Sequence, residues 1–62
     1  MDSAEEQEFL ARRLNQIKEQ RSRAVDLIPM VSADTERLAL HRRVADLEQE
    51  QREAEVRLQN LI

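Results

Sequence analysis

Apolar residues recur along this chain in steps of three and four, and the recurrence is broken once. The first run places Leu10, Leu14, Ile17, Ala24 and Ile28 on one stripe. The second places Leu40, Val44, Leu47, Ala54, Leu58 and Leu61 on another. Such spacing puts side chains on one face of an α-helix. In heptad notation, Gln7, Leu14, Arg21 and Ile28 occupy a, and Ser3, Leu10, Ile17 and Ala24 occupy d. In the second run Arg37, Val44, Gln51 and Leu58 occupy a, and Ala33, Leu40, Leu47, Ala54 and Leu61 occupy d.

The break falls within Leu27-Ile28-Pro29-Met30-Val31-Ser32-Ala33-Asp34, which holds the one proline of a chain without glycine. Proline removes a helical donor and disfavours helix at the preceding residue. Two architectures fit a proline here: a single kinked helix in a long coiled coil, or a turn. Heptad phase separates them. Carrying the first frame past Ile28 gives Thr35, Arg42 and Gln49 as a positions, whereas the apolar seam uses Val44 and Leu58. A phase shift at the proline points to a reversal. The expected fold is all-α: residues 1–62 form one antiparallel helical hairpin of two long amphipathic helices. Helix 1 covers about 3–28, the turn 29–32 and helix 2 about 33–61.

Local signals set the expected ends. Ser3 and Glu6 have the spacing of a capping box, leaving Met1 and Asp2 frayed. Ser32 or Asp34 would cap the second helix, with Asp34 and Glu36 in its first turn. Folding the chain so that residue i faces 61 − i sets Leu14 opposite Leu47, Ile17 opposite Val44, Leu10 opposite Gln51, Arg21 opposite Leu40 and Ala24 opposite Arg37. Each a then meets a d, and flanking charges agree for Glu6 with Arg57, Arg13 with Glu50 and Lys18 with Glu48. A weak likeness between residues 10–17 and 40–47 is what any two heptad helices would show.

Composition narrows the function. Sixty-two residues bury little apolar surface, and such small domains lean on disulfides, metals or association. With no cysteine and a lone histidine, His41, disulfides and a zinc site are not expected, and no cofactor is implied. That leaves association. The apolar fraction is 40%, and residues off the seam widen the stripe: Phe9, Val25, Leu27, Met30, Val31, Leu38 and Ile62, together with Ala11 and Ala45. These form the expected partner interface. Single apolar residues are also ordinary on surfaces, and the apolar tip could simply close the core. Arg21, Arg37 and Gln51 replace apolar residues in the seam. They would set register and specificity, or their stems would cover the core while the heads reach water.

The leading expectation is therefore a non-enzymatic protein–protein interaction module. It would self-associate as a homodimeric four-helix bundle, or act as an adaptor or scaffold for helices of another protein. No nucleophile–base pair or glycine loop suggests an enzyme. The alternative is a small dimeric nucleic-acid-binding regulator using Arg12, Arg13, Arg42 and Arg43. A net charge of −3 and one aromatic residue weigh against it, as the arginines fit a salt-bridged face. No run approaches membrane-spanning length, and the acidic N-terminus does not resemble a signal peptide, so an intracellular, cytoplasmic location is expected.

Overall fold

The computed structural model describes residues 2–61; Met1 and Ile62 lie outside the described residues, so the expected interface role of Ile62 is not addressed. Helix α1 spans Ser3–Leu27 and helix α2 spans Asp34–Leu61, joined by a 3-10 turn at Ile28–Met30 and an extended stretch at residues 31–33. The two helices pack against each other along their length as an antiparallel hairpin about 47 Å long and 14 Å wide.

The ends depart from the capping expectation in an instructive way. Asp2, not Ser3, is the N-cap: it is extended (φ −80°, ψ 167°) and its carboxylate accepts from the Glu5 amide at 2.9 Å. Its carbonyl also accepts from the Glu6 amide. Aspartate and serine cap comparably, but the charge of Asp2 adds a favourable interaction with the helix dipole. Ser3 is therefore the first residue of the helix and not its cap. At the other end Ala33 takes the N-cap position of α2, its carbonyl accepting from the Arg37 amide at 3.0 Å. Neither Ser32 nor Asp34 holds that position; Asp34 opens the helix itself.

The reversal also starts differently from expectation. Ile28 keeps right-handed helical angles (φ −53°, ψ −49°), and its amide bonds back to the Val25 carbonyl. Pro29 follows in the 3-10 segment, where its fixed φ is compatible but it has no N–H to bond back into α1. The chain leaves helical space only at Val31 (φ −91°, ψ 139°). Proline here tightens the last turn before the chain turns outward, a milder effect than ending the helix at once.

Between the helices, Leu10, Ile17, Ala24, Leu47 and Ala54 are buried, and Ile17 and Leu47 are each only 1% exposed. Leu14, Ile28, Leu40, Val44, Leu58 and Leu61 are half-buried. All five buried residues are d positions, and every apolar a position is half-buried. Ion pairs mark the register: Arg13 Nη2 lies 3.2 Å from Glu50 Oε2, and Arg57 Nη2 lies 3.7 Å from Glu6 Oε1. Both pairs were expected. Lys18 and Glu48 are one heptad out of step: matching e positions meet at 59 − i, which sets Lys18 opposite His41 instead.

Two consequences can be measured by urea unfolding followed by circular dichroism. Asp2→Ala is expected to cost about 1 kcal/mol and Ser3→Ala much less; equal losses would restore Ser3 as the cap. Ile17→Ala or Leu47→Ala should cost about 2–5 kcal/mol, a large fraction of any domain this small.

Candidate functional site: two unlike flanks of the hairpin

An antiparallel pair of helices has two flanks. On one, the g positions of α1 face the g positions of α2, next to the d residues. On the other, e faces e, next to the a residues. The sequence equips these flanks differently.

The g flank is closed. Glu6–Arg57, Arg13–Glu50 and Arg43 Nη2 donating to Gln20 Oε1 at 3.4 Å recur every seven residues. Their stems lie over the d layer, which accounts for the deep burial there. Each pair is exposed or half-exposed and contributes less than about 1 kcal/mol. A shallow groove on this flank is lined by Phe9, Leu10, Ile17, Ala54 and the Arg13–Glu50 pair.

The e flank is open. It carries Ala4, Ala11, Lys18 and Val25 from α1, and Asp34, His41, Glu48 and Glu55 from α2. Among the described residues no e side chain bonds across it, and the one inter-helix bond on this side is from Gln7 at the open end. Short alanine side chains leave the a residues beneath half-exposed. Those a residues are polar in a regular way. Leu14 is flanked seven residues away by Gln7 and Arg21, and Val44 by Arg37 and Gln51.

The polar a residues are individually engaged. Gln7 Nε2 donates to the Leu61 carbonyl at 3.4 Å, serving one of the free carbonyls at the end of α2. Arg37 is half-buried and closes the turn: Nη1 donates to Asp34 Oδ1 at 3.0 Å and Nη2 to the Val31 carbonyl at 3.2 Å. Ala24, opposite, leaves room for it. Arg21 is half-buried. Gln51 donates through Nε2 to Glu55 Oε1 at 2.9 Å, but its Oε1 is buried without a partner. Flipping the amide would set Oε1 against the Glu55 carboxylate, so the orientation is fixed.

The residues expected to form one partner interface are dispersed. Phe9 is 60% exposed on the g side, Leu27 and Met30 are exposed near the turn, and Val31 is half-buried. Only Val25 and Leu38 share the e side, near the turn. Val56, 54% exposed on the outer face of α2 beside Arg52 and Arg57, was not among the expected interface residues. Its signal was a valine off the seam in the run Glu53–Arg57, where Ala54 is the seam residue. The arginine pairs do not assemble into one basic patch. Arg12 is tied to Glu8, Arg13 to Glu50 and Arg43 to Gln20, while Arg42 is exposed. His41 is exposed. Among the described residues no group of three or more acidic or histidine side chains is arranged to hold a metal, and no helix is long and apolar enough to cross a membrane.

Comparison with protein-family models, with curated proteins and with solved structures finds no match to this chain.

The g-flank pairing has a direct check. A double-mutant cycle on Arg13→Ala and Glu50→Ala should give a coupling of about 0.2–1 kcal/mol that shrinks at high salt. Zero coupling at low salt would remove this pair as a register element.

Proposed function

We propose that this protein is a non-enzymatic helical-hairpin module that works by self-association, two hairpins burying their half-exposed seams against each other as a four-helix bundle. The observation that carries this reading is the incomplete core. Among the described residues five are buried, and two of those are alanine. Burial of Ile17 or Leu47 contributes about 1.5–3 kcal/mol each. Ordering sixty residues costs about 1 kcal/mol or more apiece in backbone entropy alone. A two-helix core of this size leaves folding short of driving force, while six half-buried apolar seam residues remain to be covered.

A second hairpin supplies what is missing with no new chemistry. Helices in four-helix bundles present a stripe wider than a two-stranded seam, using a and d with e or g. Here the e positions of α1 are alanine, alanine and valine around Lys18, which admits close approach. The hairpin as an adaptor for foreign helices uses the same surface, and solution mass tells the two apart.

Light scattering on a sizing column, with helicity recorded over a wide concentration range, tests the proposal. A helical dimer is expected. Leu14→Asp and Leu47→Asp should each abolish helicity and association together, since a buried unpaired charge costs several kcal/mol. A helical monomer at every concentration would overturn self-association, and retained helicity and mass in both variants would overturn the seam assignment.

A further inference from the structure

Resting on the self-association reading, we infer that two copies pack through their open e flanks with their turns at opposite ends. The glutamine pair of each copy then lies over the arginine pair of the other. Three observations specify this arrangement. The open flank is the one whose a residues are half-exposed and across which, among the described residues, no e side chain bonds, the Gln7–Leu61 bond at its outer end being the one inter-helix link there. The hairpin itself is 47 Å long and 14 Å across, so one whole side of it is on the order of the ~800 Å² per partner that a standard interface uses.

The second observation is the distribution of polar groups along that flank. Because the helices run antiparallel, Gln7 and Gln51 lie within about one turn of each other, toward the open end. Arg21 and Arg37 lie likewise toward the turn. Leu14 and Val44 sit midway. The flanking e positions repeat the polarity: Lys18 and His41 fall in the turn half, Glu48 and Glu55 in the outer half. Asp34 is the exception, but it is 96% exposed and already bonded to Arg37. The flank is therefore self-complementary under a two-fold axis perpendicular to the helices, through Leu14 and Val44. That axis sets leucine and valine of both copies together at the centre and basic ends over acidic ends. The other closed arrangement, with the axis along the helices, superposes like on like. It gathers Arg21 and Arg37 of both copies into a cluster of four guanidinium groups with Lys18 beside them, which repulsion and desolvation oppose.

The third observation is Gln51 Oε1, an acceptor buried without a donor in the single hairpin. Buried polar atoms without partners are rare in completed folds. In the turn-opposed dimer the guanidinium groups of the partner's Arg21 and the partner's Arg37 come to its level; because its own hairpin already covers the oxygen, the Gln51 side chain swings outward, giving up its bond to Glu55, to meet them. Arg37 uses two of its five N–H donors within its own chain.

The test labels Ser32, exposed in the reversal of a chain with no cysteine. Ser32→Cys carrying a nitroxide is measured by pulsed dipolar spectroscopy alongside solution mass. A dimer with labels about 40 Å apart is expected, from a 1.5 Å rise per residue on either side of the axis. A dimer with labels within about 20 Å overturns the turn-opposed packing and leaves self-association standing. A helical monomer overturns both. Variants supply an independent reading. Gln7→Arg sets arginine over the partner's Arg21 and should weaken the dimer at least about tenfold with helicity retained at high concentration. Adding Arg21→Gln to it, which leaves the turn contacts of Arg37 in place, should restore most of the affinity. No weakening, or weakening that Arg21→Gln does not reverse, overturns the pairing.

Discussion

The structure depends on a missing amide. A chain with no glycine has no residue that enters left-handed space without penalty, so the common glycine-terminated helix end is not open to it. Pro29 is what stops α1. It tightens the last turn to 3-10 and deprives the next turn of a donor, after which Val31 goes extended. Because the reversal is short, residues Ile28 to Ala33, α2 must return alongside α1, and the heptad phases of the two helices then bring d against a. Arg37 fixes the far side of that reversal by holding the Val31 carbonyl and Asp34. The register is thus set at the turn and carried outward by the ion pairs every seven residues.

From that register follows a difference between the flanks that neither helix possesses alone. Long, oppositely charged side chains at g reach across the interface and shelter d. Alanines at e cannot, so a stays half-exposed. The same seam is dry on one side and open on the other, and the stability of the hairpin lies mostly on the closed side. Within the proposed dimer the open side is where the remaining apolar area goes. The weakness of the isolated hairpin and the existence of an interface are then two aspects of one asymmetry.

Much of this was legible in the sequence, and what was not has physical reasons. Periodicity located both helices and the break, because a three-to-four recurrence sustained from Leu10 to Ile28 matches the turn of an α-helix and not the alternation of a strand. The pairs Glu6–Arg57 and Arg13–Glu50 followed from the register that Leu14 and Leu47 define. Lys18–Glu48 failed because e and g flanks are offset in opposite directions from the seam, a difference that charge sign alone does not reveal. The cap at Asp2 was missed because Ser3 and Glu6 also have capping spacing, and the choice turns on which backbone is extended. The off-seam apolar residues looked like one broad stripe in sequence. On the helices they divide among two flanks, the tip and the outer face, because Phe9, Val25, Leu27 and Leu38 occupy four different heptad positions.

The polar a residues are where stability and specificity pull apart. Leucine at 21, 37 and 51 would bury more area and leave no unpartnered oxygen. It would also erase most of the difference between the two ends of the a layer, leaving only Gln7 and the e positions to distinguish them. A uniformly apolar flank would accept a second copy in both orientations, and other helices as well. One arginine and one glutamine at equal distance on either side of an apolar centre, in both helices, is the smallest change that gives the flank a direction. The cost is borne by the single hairpin, which keeps Gln51 Oε1 buried and unanswered. On the proposed packing that cost is recovered only where Gln51 swings outward to the partner's arginines, and only one of the two dimer orientations places them there.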